Sequence, residues 1–202
     1  MASLVTARTR EVLARIPGLA LGLAMFGAGI GLNIRANLGL SPWDAFHQGI
    51  ALRTPLSVGL VTIAVSAVVL LGWIPLRQRP GLGTILNATL VGVTIDVTLF
   101  VVGETELLWL RVLFLVGGIG MTAFGSGLYI GARLGPGPRD GIMTGLAARG
   151  MSIRLARTLI EGAVLIAGWL LGGAVGIGTV IYTLTIGPLL QISLRWADKG
   201  PL

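Results

Sequence analysis

Polar residues in this chain fall in short clusters, and between them run six apolar stretches, at about 16–34, 56–75, 83–103, 108–131, 154–174 and 176–196. Each is close to the roughly 20 residues that a helix needs to cross the hydrocarbon core of a bilayer. The connections are short, and no segment reads as a soluble domain or a linker. The pattern predicts an all-α integral membrane protein with six transmembrane helices in a single membrane domain, 1–202. The first stretch follows Arg8, Arg10 and Arg15, as the apolar part of a signal peptide does. It is long enough to span, and no convincing small-residue cleavage site follows it, so it is expected to be a retained first helix.

The segment between the first two stretches is neither clearly polar nor long enough to span. It carries Ala36-Asn37-Leu38-Gly39-Leu40-Ser41-Pro42-Trp43-Asp44, and a related segment, Ala132-Arg133-Leu134-Gly135-Pro136-Gly137-Pro138-Arg139-Asp140, follows the fourth stretch. Aligned with a shift of 96, residues 29–53 and 125–149 are identical at 12 of 25 positions. Chance would give such biased segments roughly two or three matches. Gly72-Trp73 matches Gly168-Trp169 at the same shift, and Gly83-Thr84 matches Gly178-Thr179 at 95. Two repeats are thus expected, about 16–103 and 108–196. Each holds three spans, and an odd number inserts the second copy upside down, giving an inverted-topology pair.

The chemistry of the motif predicts a helix break. Gly39 is expected to supply the left-handed conformation that ends the first helix. Ser41 is a good N-cap, Pro42 suits the first helical position, and Asp44 completes a capping box. A short helix from about Pro42 to Leu52 is expected, and its counterpart runs from Pro138 to about Arg149, with Gly137 as N-cap. Each short helix is either re-entrant, with irregular backbone lining a cavity, or a corner at the membrane interface. In the first case its N-terminus would draw a polar or anionic group, to the extent that Asp44 and Asp140 leave its N–H groups free.

Composition decides the class. Of 202 residues 54% are hydrophobic and 11% charged, with mean hydropathy +0.90; soluble domains carry about 25% charged residues. The net charge of +7 would suggest nucleic acid in a soluble protein. Here there is little polar surface to form such a footprint, so the arginines are assigned to anionic lipid headgroups, and no nucleic-acid partner is expected. Cysteine is absent and there is one His, so no disulfide, metal centre or cofactor is expected. One Lys among 15 basic residues, with abundant Ala, Gly, Leu and Arg, fits a GC-rich bacterial genome.

With both termini inside, the cytoplasmic side carries 12 basic residues and the outside carries three, Arg35, Arg53 and Arg111. This bias predicts cytoplasmic N- and C-termini. Small-xxx-small pairs such as Gly27/Gly31, Gly127/Gly131, Gly141/Gly145 and Gly168/Gly172 suit close helix packing in lipid. They are assigned to packing within the chain, although a homodimer is possible for so small a protein.

The candidate binding residues cluster at the two breaks. Asn33, Arg35, Asn37, Ser41, Trp43, Asp44 and His47 belong to the first; Tyr129, Arg133, Arg139 and Asp140 belong to the second. Arg35 and Arg139 are placed to clamp a carboxylate or phosphate, or else to anchor in headgroups. Trp43 is an interface anchor or a stacking lid, and His47 a titrating or a hydrogen-bonded group. Asp96 and Glu161 lie within spans, where a carboxylate is costly, and are candidates to carry a coupling proton. Glu161 has a ready salt-bridge partner in Arg157.

The segment Leu38-Gly39-Leu40-Ser41-Pro42-Trp43-Asp44, after a Gly-rich first helix, resembles the YczE/YyaS/YitT group of small bacterial membrane proteins. The second copy departs from that pattern, with Gly137 for Ser and Arg139 for Trp. The resemblance implies a multi-pass protein of the bacterial inner membrane, described in general terms as a permease, and supplies no substrate. The expected function is a small secondary transporter of a polar, anionic metabolite working by alternating access. A channel and a non-transporting accessory protein are the alternatives. No Ser/His/Asp spacing, metal motif or phosphate loop is present, so no enzyme is expected.

Overall fold

The computed structural model describes residues 2–198 and Gly200, with side chains from Arg10 onward. The side chain of Arg8 and all of Lys199, both counted on the cytoplasmic side, lie outside the described residues. The order is α1 (Ala2–Ala36), α2 (Pro42–Ala51), α3 (Val58–Leu71), α4 (Trp73–Leu76), α5 (Leu82–Val101), α6 (Leu108–Gly131), α7 (Pro138–Ala147), α8 (Ile153–Leu170) and α9 (Ile177–Ala197). The protein is an all-α, multi-pass membrane protein. Its outer surface is lined with exposed apolar side chains such as Leu21, Val68, Phe100, Trp109, Leu184 and Trp196, a surface that only lipid would cover.

Among the described residues, five segments are long and apolar enough to cross a membrane: Arg10–Ala36, Val58–Leu76, Leu82–Val101, Leu108–Gly131 and Ile177–Ala197. Helix α8 occupies the place of the fifth expected span but carries Arg154, Arg157 and Glu161. It also ends at Leu170, short of the expected 174, because Gly172 turns the chain with φ 95°. The second span bends at Gly72, so that α4 is a separate turn containing Pro75. Helix α1 is longer than expected, at 35 residues.

Glycines let these helices approach backbone to backbone. A Cβ on Gly22 would lie 2.8 Å from the Gly125 carbonyl, and one on Gly118 would lie 2.7 Å from the Gly29 carbonyl. The contacts run in opposite directions along the two chains, so α1 and α6 are antiparallel. A shift of 96 turns the pair Gly22/Gly125 into Gly118/Gly29, so the seam maps onto itself. Gly27 and Gly31 face α5 in the same way, and Gly127 and Gly131 face α9. Contacts that advance together along both helices make α1 parallel to α5, and α6 parallel to α9.

The breaks are reciprocal too. Gly178 N–H donates to the Leu38 carbonyl at 2.8 Å, and Gly83 N–H donates to the Leu134 carbonyl at 2.8 Å. The residue that leaves α1 in the left-handed region is Asn37 (φ 47°), matched after α6 by Arg133 (φ 55°). The expected glycines, Gly39 (φ 119°) and Gly135 (φ 124°), make a second turn two residues later. Helix α2 then packs mainly on α8 and also on α3, and α7 on α8, α3 and α4. Each short helix therefore touches both halves of the chain.

Candidate functional site

Helices α2 and α7 begin as their sequences require. Ser41 is the N-cap of α2 with extended backbone, Pro42 follows, and the Asp44 N–H donates to Ser41 Oγ at 3.3 Å. The same hydroxyl donates to Asp44 Oδ2 at 2.5 Å. This side-chain closure replaces the carboxylate-to-backbone arm of a standard capping box. Gly137 caps α7 without a side chain, and so Asp140 is left to other partners: it accepts from the Tyr129 hydroxyl at 3.1 Å.

The two N-termini meet. Arg139 Nη2 lies 3.6 Å from Asp44 Oδ1 and 3.4 Å from His47 Nδ1, and its guanidinium stacks 5.0 Å from the centre of the Trp43 ring. Trp43 and Arg139 are counterparts under the 96-residue shift. Asp44 and His47 are only 2% and 1% exposed, so the start of α2 is packed inside the protein. His47 Nδ1 also lies 3.1 Å from Thr62 Oγ1, while its Nε2 has no partner.

Beside this junction is a cavity of about 340 Å³. Ser41, Pro42 and Trp43 line it from the first break, and Gly137 to Asp140 from the second. Tyr129 and Glu161 complete the set of expected residues on its wall. Several wall residues were not singled out from the sequence: Thr62 and Ser66 of α3, Asn87 of α5, Ser126 of α6, and Tyr182 and Thr183 of α9. A signal for them existed. They are polar side chains inside apolar spans, and Asn87 and Tyr182 are counterparts at the shift of 95 that aligns Gly83 with Gly178.

Other expected residues lie away from the cavity. Asn33 is buried between α1 and α6, with its amide oxygen against Gly118 and no hydrogen-bond partner. Arg35 binds Glu104 at 2.7 Å and the Leu99 carbonyl, so it is taken up at the end of α1 and is not placed as a clamp. Asn37 offers its carbonyl to Arg111. Arg133 holds Asp198 in a two-pronged pair at 2.8 and 2.7 Å. Asp96 accepts from Ser57 Oγ at 2.5 Å and from Gly59 N–H at 2.8 Å, binding the start of α3 outside the cavity. Glu161, which does line the cavity, pairs there with Arg157 at 2.9 Å.

A second cavity lies on the Arg133 side, with Gly135 and Pro136 in its wall. Ile130 and Asp140 line both spaces and so stand between them.

The family of unknown function DUF6198 matches residues 13–195. An uncharacterized protein of Haemophilus influenzae is 38% identical over 184 residues, covering 91% of this chain and 84% of the relative. The uncharacterized membrane protein YczE of Bacillus subtilis is 33% identical over 177 residues, 86% of this chain and 82% of that one. YyaS of the same organism is 31% identical over 189 residues, with coverage of 89% and 92%. No solved structure matches.

Proposed function

The chain belongs to the DUF6198 family of bacterial membrane proteins, and we propose that it is a small secondary transporter that carries a polar metabolite by alternating access. The observation that carries this reading is the cavity walled by both helix breaks at the contact of Trp43 with its counterpart Arg139. Broken helices that face one another at a repeat axis are where transporters place a solute. The helix directions support an inverted pair, with α1, α3 and α5 in one copy and α6, α8 and α9 in the other. In this reading α8 is the fifth of six spans. Its Arg157 and Glu161 are tolerated because they line the cavity. Cytoplasmic termini follow from the arginine bias, and with them the second cavity, beside Arg133, would lie on the cytoplasmic side. Asp140 and Ile130 would then form the partition between the central cavity and the cytoplasm.

The absence of cysteine makes the test clean. A Ser126→Cys variant should react with an impermeant maleimide from either side of oriented vesicles, because the cavity opens to each side in turn. Planar bilayers holding the same protein should show no unitary conductance. Labelling from one side alone, or a steady unitary conductance, would overturn the reading.

A further inference from the structure

The charges around the cavity are not evenly matched. Four charged residues line it: Arg139, Asp140, Arg157 and Glu161. Arg157 is paired with Glu161 at 2.9 Å. Arg139 is paired with Asp44, which stands behind the wall, at 3.6 Å. Asp140 alone has no ion-pair partner among the described residues, and only the Tyr129 hydroxyl satisfies it. With these five groups in their ordinary charge states, two guanidiniums face three carboxylates.

An anion entering this space would meet guanidiniums whose charge Asp44 and Glu161 already offset, and would add a further negative charge to the three carboxylates. A cation meets no such penalty, because a carboxylate is waiting and its arrival balances the site. The wall near Asp140 also suits a compact organic cation. Phe26 stands edge-on to Tyr129 with ring centres 5.9 Å apart, and aromatic surfaces attract cations.

We infer that the cavity takes an organic ammonium solute, its charged nitrogen at Asp140. The inference rests on the cavity being the solute site and replaces the expectation of an anionic metabolite. Arg139 in this scheme positions the wall: it holds Asp44 and Trp43 in place and does not contact the solute's charge.

The test uses n-propylammonium, propionate and propanol as probes of equal size, at matched ionic strength, on the full chain in detergent. The readout is the rate at which maleimide modifies Ser126→Cys. Propylammonium should slow the reaction severalfold in a saturable way, while propionate and propanol leave it unchanged. Adding Asp140→Asn should abolish the protection, and adding Asp96→Asn should preserve it. If the Asp140→Asn protein does not fold, the comparison of the three probes on Ser126→Cys decides alone. Protection by propionate, by all three probes or by none overturns the inference, as does protection that survives Asp140→Asn. Flux in proteoliposomes separates this from the transport reading. Protection without flux keeps the ammonium site and removes the transporter; flux with protection by propionate alone does the reverse.

Discussion

Arg133 and Arg139 flank the same proline-rich turn and are held by different carboxylates. Arg139 is drawn inward to Asp44, whereas Arg133 stays at the surface and grips Asp198 with two hydrogen bonds. The Arg133 guanidinium, helped by the Gly200 N–H, pulls the Asp198 carboxyl down to about 2. An unfolded aspartate titrates at about 3.9. A folded value below the unfolded one means that the pair adds stability above about pH 4, and that this contribution fades as pH falls through about 2. Arg133→Gln should move the Asp198 titration back up toward the ordinary range, with a smaller residual depression from the Gly200 amide. The carboxyl ¹³C shift of Asp198, followed from neutral pH into acid, reads this directly. An unchanged midpoint would mean that the pair does not form in solution.

At the scale of helices, the α1–α6 seam sets the separation of the two halves, and its glycines are not equivalent. Gly118 has its missing Cβ position 2.4 Å from Asn33 Oδ1 and 2.7 Å from the Gly29 carbonyl, whereas Gly117 has nothing within 4 Å. Both are interior to α6, where alanine is favoured over glycine by about 1 kcal/mol. Gly117→Ala should therefore be neutral or stabilising. Gly118→Ala should destabilise by about 1–3 kcal/mol, the usual cost of forcing extra volume into a packed interface. Thermal unfolding of the two variants in the same detergent compares them. Equal shifts would show that the helices do not approach as closely as Gly22, Gly29, Gly118 and Gly125 allow.

At the scale of the molecule, the parts legible in the sequence were those set by local chemistry. Ser41-Pro42 and Gly137-Pro138 start helices because a cap and a fixed φ act within a few residues, and the apolar runs mark the spans because lipid acts on each one separately. Whether Asp44 and Asp140 face each other's helices, lipid or water depends on how the halves close, and no local rule fixes that. The same gap explains Arg35, Arg133 and Asp96. Each looked available beside a motif or in a span, but found a partner distant in sequence: Glu104, Asp198 and the start of α3 respectively. What joins the halves at the centre is Arg139 of α7 reaching Asp44, Trp43 and His47 of α2. Arg139→Gln would leave Asp44, 2% exposed, with only the Ser41 hydroxyl and its own helix start. Removing one partner of a buried pair typically costs about 3–5 kcal/mol, and the partial exposure of Arg139 places this case at the lower end. Asp44→Asn/Arg139→Gln removes both charges and should recover much of that loss, so the two single effects should exceed the double. Unfolding midpoints of the four proteins close the cycle. Strict additivity would mean that the two breaks are neighbours without being coupled, and that the junction beside the cavity is held by packing alone.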